Sequence, residues 1–241
     1  MPLLFHSLLP RCLQALLPSS CVLCGSLGKD AVCPACTEAH ARDVHPRCPC
    51  CANPVGGHDA GRHCGACLAD PPAFDATVAA CDYGAPVDRL VLQLKFGGRL
   101  ALAPWMVGRL HQAVLARGPD LPALLCPVPL GPRRLVERGY NQALELARPL
   151  SAALGIALAP RLLERQVETA AQSGAAPGQR RRNVRGAFAL ADGQPALQGM
   201  HVGVVDDVMT SGHTLDELAG VLKRAGAARV TNLVFARTPP H

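Results

Sequence analysis

The stretch that decides the fold reads His201-Val-Gly-Val-Val-Asp206-Asp207-Val-Met-Thr210-Ser211-Gly212-His213-Thr214, and a helical pattern follows it. Each part has a physical task. An apolar strand delivers two carboxylates to its C-terminal end, where ligands bind in open α/β sheets, and carboxylates accept hydrogen bonds from a sugar diol. The Thr-Ser-Gly-His-Thr turn then opens a helix. Free backbone N–H groups, hydroxyls and the positive end of the helix dipole there suit a phosphate dianion, with Gly212 allowing close backbone approach. Phosphate and diol sites a few residues apart match a ribose 5-phosphate. A strand that merely ends in a solvated acidic turn would leave the Thr/Ser/Gly spacing unexplained.

Outward from this segment, apolar runs of strand length alternate with helical patterns, as a parallel α/β sheet flanked by helices requires. Strands are expected at Thr77–Tyr83, Leu124–Pro127, Val202–Val205 and Val230–Ala236. Helices are expected at Val87–Lys95, Pro104–Ala116, Asn141–Leu154 and Leu215–Ala225, the last closed by Gly226 as a left-handed cap. Arg165 to Arg185 is polar, arginine-rich and without a period, which suits a mobile loop over a site. Asp70-Pro71-Pro72 marks a boundary. Three parts are expected: a helical segment in residues 1–20, a cysteine-rich module in residues 21–70 and the α/β domain in residues 71–241.

Ten of the twelve cysteines lie in the first 67 residues. Cys21-Val-Leu-Cys24 pairs with Cys33-Pro-Ala-Cys36, and Cys48-Pro-Cys-Cys51 with Cys64-Gly-Ala-Cys67, which makes four CxxC knuckles. A two-residue spacer turns both sulfurs of a knuckle toward one tetrahedral Zn²⁺, and two knuckles close a structural four-thiolate site. Two zinc ions are expected, held by Cys21, Cys24, Cys33, Cys36, Cys48, Cys51, Cys64 and Cys67. Sequential ribbons and a cross-braced arrangement both use these ligands. Metal binding supplies folding free energy that a stretch so poor in apolar periodicity lacks. No run of 18 apolar residues and no cationic leader is present, so neither membrane span nor signal peptide is expected. A cytoplasmic, reducing setting follows, where paired cysteines bind metal more often than they form disulfides or redox pairs. Cys50 is an alternative ligand, though Cys51 keeps the spacing; Cys12, Cys81 and Cys126 read as small buried hydrophobes.

The net charge of +6 is local. Residues 121–190 hold ten arginines and four glutamates, and the remaining chain is balanced. Such a strip suits phosphate groups, because arginine offers a permanently charged fork to phosphate oxygens.

The segment from Val202 to Thr214 resembles the signature of the type I phosphoribosyltransferases, which bind phosphoribosyl pyrophosphate (PRPP). That resemblance implies ribose contacts from Asp206 and Asp207, with a catalytic role if turnover occurs, and a 5-phosphate held by Thr210, Ser211, Gly212 and Thr214. Gly203 departs from the pattern, since an apolar strand residue is usual there. Cys126-Pro-Val-Pro-Leu-Gly-Pro-Arg133-Arg134, then Arg138-Gly139-Tyr140-Asn141-Gln142, and Arg165 to Phe188 resemble the ComF family, which joins a cysteine-knuckle module to a phosphoribosyltransferase-like domain. By that resemblance Arg133, Arg134, Arg138 and Gly139 stand near the pyrophosphate, and residues 165–185 form a hood over the ligand. Lys95-Phe96-Gly97-Gly98-Arg99 is a weaker candidate, either bordering the pocket or capping a helix.

ComF proteins are associated with natural transformation, so the resemblance implies a PRPP-binding, zinc-containing protein that handles incoming single-stranded DNA with a helicase-like partner. Arg180, Arg181, Arg182 and Arg185 would meet DNA phosphates, and Tyr140 and Phe188 would either stack on bases or belong to the core. A working phosphoribosyltransferase with Mg²⁺ on the pyrophosphate is the second reading, and a non-catalytic interaction module the third.

Overall fold

The computed structural model describes residues 19–42, 45–167, 184–194 and 196–239. Nearly all of the helical segment expected in residues 1–20 lies outside them, as do Cys12, Arg180, Arg181 and Arg182. The cysteine module opens with a short antiparallel pair, β1 (Ser19–Ser20) and β2 (Leu27–Gly28). Helix α1 (Pro34–His40) and helix α2 (Gly65–Ala69) each begin immediately after a knuckle cysteine, Cys33 and Cys64.

The α/β domain contains β3 (Ala76–Asp82), α3 (Val87–Phe96), α4 (Ala103–Ala116), β4 (Leu124–Pro127), α5 (Pro132–Arg138), α6 (Gln142–Leu154) and β5 (Ala157–Leu158). It continues with β6 (Leu163–Arg165), β7 (Phe188–Leu190), β8 (His201–Met209), α7 (His213–Arg224) and β9 (Arg229–Arg237). Five strands form one sheet in the order β3-β9-β8-β4-β5, and every neighbouring pair is parallel. This is the expected class, a parallel sheet with flanking helices and a small N-terminal cysteine module.

Side-chain alternation along the strands divides the core in two. Leu125, Val205, Leu233 and Phe235 pack with Leu90, Leu94, Met106, Leu110, Leu146 and Leu150 of α3, α4 and α6. Leu124, Val202, Val204 and Val234 pack with Leu215, Leu218 and Leu222 of α7. The cysteine module straddles the sheet edge between these layers: Cys21, Val32 and Cys36 join the first, whereas Cys48, Cys51 and Cys67 join the second. Along that edge the Thr77 amide of β3 donates to the Pro49 carbonyl at 3.3 Å. Trp105 Nε1 of α4 donates to Thr37 Oγ1 of α1 at 2.9 Å.

Strand β4 and helix α3 lie where the sequence places them, α3 extended by one residue. Asn141 is the cap of α6 rather than its first turn, its Oδ1 accepting from the Ala143 and Leu144 amides at 2.9 and 3.4 Å. Strand β8 does not stop at Val205: pairing with β9 continues to Met209 opposite Arg237, so both carboxylates sit inside the strand. Helix α7 starts at His213, two residues early, and Gly226 adopts φ +101° just past its end. Arg133 to Arg138 form a helix, α5, capped by left-handed Gly139, where the sequence suggests only a basic stretch. Strands β6 and β7 pair antiparallel at the two ends of the expected hood. The unusual Gly203 has a steric reason, since a Cβ there would lie 2.5 Å from Leu125 Cδ2 and 2.9 Å from Pro122 Cγ.

Candidate functional site

Pairing with β9 carries β8 far enough to present Asp206 and Asp207 beside the ends of α3 and α5. Each carboxylate is braced by the backbone. Asp206 Oδ1 accepts from the Asp207 amide and Asp207 Oδ1 from the Val208 amide, both at 2.9 Å. Asp207 is buried, and Lys95 Nζ from α3 meets its Oδ2 at 2.8 Å. Asp206 is half-buried, and burial together with the adjacent Asp207 holds its carboxyl well above the usual carboxylate range, with Lys95 opposing the shift. The acidic pair is thus pre-paired with a cation.

Thr210 and Ser211 are exposed at the turn, Gly212 takes φ +84°, and α7 opens at His213. The left-handed backbone at this position favours glycine, and a Cβ on Gly212 would also lie 2.7 Å from Met209 Cε, the movable end of that side chain. Ser211 Oγ lies 3.1 Å from His213 Nδ1, and the Gly212 carbonyl accepts from the Asp216 amide at 2.9 Å. The loop Thr210–Thr214 therefore stands directly after the carboxylates, at the N-terminus of a twelve-residue helix.

The basic residues divide. Arg138 is half-buried, donates to Gln142 Oε1 at 2.9 Å and places its guanidinium 4.7 Å above the Phe96 ring. Burial lowers its pKa, while the Asp207 and Asp206 carboxylates pull in the other direction, so Arg138 belongs to the field of the acidic pair. Arg134 is half-buried on the same helix. Arg133 is exposed and joined to Glu137 at 3.0 Å. Gly139 is exposed at the helix end. Tyr140 is half-buried with its hydroxyl donating to the Leu94 carbonyl, and Phe188 is buried beneath Arg165, whose guanidinium lies 5.1 Å from the ring centroid. Phe188 is thus a core ring. Arg185 is exposed beside Gly186, whose amide donates to Glu217 Oε1 of α7 at 2.9 Å.

Two further residues matter more than the sequence suggests. Lys95 lay in a segment with only local cues, glycine flexibility and charge, yet it is the partner of Asp207. Arg237 ends β9, where nothing in its neighbourhood signals a site. Its buried guanidinium donates through Nε to the Cys51 carbonyl at 2.9 Å, and its Nη1 meets the carbonyls of Met209 (3.1 Å), Thr210 and Thr238. A cavity of about 250 Å³ lies between the module and the loop, lined by Cys67, Phe74, Ser211, Gly212, His213 and Arg237 among others.

The eight knuckle cysteines gather into two sets, Cys21, Cys24, Cys33 and Cys36, and Cys48, Cys51, Cys64 and Cys67, with all ligand atoms of a set within 4.8 Å of one another. The pairing is sequential. Sulfurs around a tetrahedral Zn²⁺ at about 2.3 Å stand about 3.8 Å apart, and Cys24–Cys33 and Cys51–Cys64 measure 3.7 and 3.6 Å. Backbone amides already point at thiolates: Cys33 N at Cys21 Sγ and Cys64 N at Cys48 Sγ, each 3.3 Å. Burial works against ionisation of Cys21 and Cys48, but such amides outweigh it and bring the thiols to about 6 and about 7. The donor set fits two structural zinc ions. Cys50 stands outside, its Sγ near the Phe74 carbonyl, and burial pushes its thiol up to about 11.

Residues 12–68 match the family model described as a double zinc ribbon domain. Among solved structures, a purine phosphoribosyltransferase from Pyrococcus horikoshii is similar at 19% identity over 56% of this chain and 72% of that chain, with a TM-score of 0.34. A DNA utilization protein YhgH from Salmonella typhi is 37% identical over 228 residues, covering 92% of this chain and 98% of the relative. Competence protein F from Haemophilus influenzae is 31% identical over 224 residues, covering 90% and 96%. With such identity along nearly the full length of both, the chain belongs to the ComF family, the family of Competence protein F and DNA utilization protein YhgH.

Proposed function

We propose that the chain binds PRPP, or a closely related phosphoribosyl ligand, at the end of β8 and acts on or with single-stranded DNA during its uptake and use. The observation that carries the ligand reading is the continuity of Asp206 and Asp207 with the glycine-centred loop Thr210–Thr214 at the start of α7. Asp206 and Asp207 take the ribose hydroxyls, and Thr210, Ser211, Gly212 and Thr214 hold the 5-phosphate. Arg138 and Gly139, with Arg134 and Arg133 behind them, face the pyrophosphate. Mg²⁺ comes with the ligand, bound by pyrophosphate oxygens as a hard cation prefers. Lys95 has to share Asp207 with the ribose, so its ammonium is part of the binding site.

The DNA part of the reading rests on the names carried by the relatives and on the surface beside the pocket. Tyr140 spends its hydroxyl on Leu94 and Phe188 is covered, whereas Phe96 is 68% exposed with one face under Arg138 and Arg99 close by in sequence. An open ring among arginines suits an unpaired base and its phosphate. A helicase-like protein is the expected partner in that setting, and the zinc clusters keep a structural role.

Titration calorimetry of the zinc-loaded protein with PRPP and Mg²⁺ is expected to show binding that Asp206→Ala with Asp207→Ala abolishes. Equal affinity of that double variant would remove the site assignment. Salt-sensitive binding of a labelled oligothymidine, weakened by Phe96→Ala, is expected in fluorescence anisotropy. Pyrophosphate release from PRPP across a panel of bases and DNA separates a binding role from turnover.

A further inference from the structure

Arg237 is a buried guanidinium that touches both halves of the molecule. It is 5% exposed, and its hydrogen-bond partners among the described residues are backbone carbonyls and a cysteine sulfur rather than a carboxylate: the carbonyl and side chain of Cys51 in the cysteine module, the carbonyls of Met209 and Thr210 at the end of β8, and that of its neighbour Thr238. A buried cation needs negative potential nearby. Here that potential comes from the second cysteine set, since four thiolates around one Zn²⁺ carry a net charge of about −2. Arg47 on the same side is balanced differently: it donates to the Ala52 carbonyl at 3.0 Å and pairs with the Asp82 carboxylate at 2.9 Å, so of these two cations the carboxylate-free one is Arg237. The first cysteine set has no contact of this kind with the β8 loop; its neighbours are Val32, Ala41 and the α4 side of the core.

We infer that Arg237 is a positioning residue through which the metal-loaded second cysteine set (Cys48, Cys51, Cys64, Cys67) holds the loop Thr210–Thr214 in its ligand-ready shape. The Thr210 carbonyl is the point of attachment, one residue before the exposed Ser211 and two before the left-handed Gly212. With metal in place, the Cys48-to-Cys51 knuckle is rigid, its Cys51 carbonyl is fixed, and Arg237 has an acceptor on each side. Without it, the knuckle is free to move, the carbonyl leaves, and the guanidinium has no reason to stay buried beside Thr210. The first cysteine set fastens the module to α4 and leaves the loop alone. Coupling is reciprocal by thermodynamic necessity: whatever the loop gains from the metal, the metal gains from an ordered loop.

The test needs no ligand, so its failure is distinct from a failure of the PRPP reading. Amide hydrogen exchange of residues 209–214 is measured by mass spectrometry on zinc-loaded protein, on Cys64→Ser, on Cys24→Ser and on Arg237→Met, with zinc content determined for each. Exchange in this loop is expected to rise about tenfold or more in Cys64→Ser and to stay near wild type in Cys24→Ser. Arg237→Met is expected to raise it equally while both zinc ions remain bound, with residues 21–36 unaffected. Equal loop exchange in the two cysteine variants, or an Arg237→Met loop as protected as wild type, overturns the inference. Should Cys64→Ser not fold, zinc release to a coloured chelator decides: Arg237→Met is expected to release one of its two zinc equivalents faster than wild type, and unchanged kinetics overturn the inference.

Discussion

Asp206 shows how a single residue's surroundings set its contribution to stability. Burial and Asp207 keep its carboxyl protonated well above the usual range, against the pull of Lys95. An acid whose folded pKa is raised binds its proton more tightly when folded, so stability is highest below the unfolded value and falls as pH rises through the raised one. Asp206→Asn is therefore expected to melt a few degrees higher than wild type at about pH 7.5, and to lose less of its melting temperature between about pH 5 and pH 8. Identical melting curves for the two proteins across that range would contradict the assigned environment. The carboxylate pair itself was legible in the sequence, because two adjacent acids ahead of a hydroxyl-rich turn have few structural uses. Its counter-ion was not. Lys95 reaches Asp207 only through the packing of α3 on the sheet, and no local pattern in Lys95-Phe96-Gly97 encodes which distant strand it meets. Arg237 escaped for the same reason, since a cation at a strand end reads as a solvated terminus until its carbonyl partners are known.

At the scale of elements, short apolar runs with clear punctuation were readable and strand ends were not. Leu124–Pro127 is bounded by proline and its four residues are all buried, so composition alone defines it. β8 runs on through two aspartates because β9 supplies hydrogen-bond partners as far as Arg237, and pairing overrides the poor strand preference of Asp. Helix α5 has no buried residue, so no hydrophobic period announces it; Pro132 at its start, an Arg133–Glu137 pair and Gly139 at its end suffice. Gly203 is the element-scale weak point. Gly203→Val is expected to force β8 away from Leu125 and Pro122 and to cost about 1–3 kcal/mol in urea unfolding, despite valine's preference for strands. A stabilised Gly203→Val would mean that the space beside β4 opens more easily than the contact distances allow.

For the whole molecule, the cysteine module is a structural part of the core rather than an appendage. Its two sets join the two apolar layers separately, and the single tryptophan, Trp105, bonds directly to Thr37 of the module while packing edge-on against Phe235 at 5.5 Å. Structural zinc sites contribute about 10–16 kcal/mol of binding free energy, which is comparable to the stability of an entire domain of about 5–15 kcal/mol. Chelation of the metal under reducing conditions is thus expected to red-shift the Trp105 fluorescence and to remove the cooperative melting transition of the whole chain. A transition that survives chelation at its original temperature would show that the α/β domain does not depend on the module.

The hydrogen bond from Thr77 to Pro49 has a further meaning at this scale. A parallel sheet has two open borders, and a row of unpaired amides invites another chain to add a strand. The border at β5 is only two residues long, but β3 has seven, six of them buried, and the Cys48-to-Cys51 knuckle fastens to it at Thr77 like a bolt on a door. Cutting the chain at Asp70 would draw that bolt. Residues 71–241 expressed alone are expected to self-associate by edge pairing, visible as large species in light scattering and as thioflavin-positive precipitate, whereas the intact zinc-loaded chain shows neither. By its position at Thr77, the ribbon is expected to be a seal as well, one that keeps one sheet from growing into many.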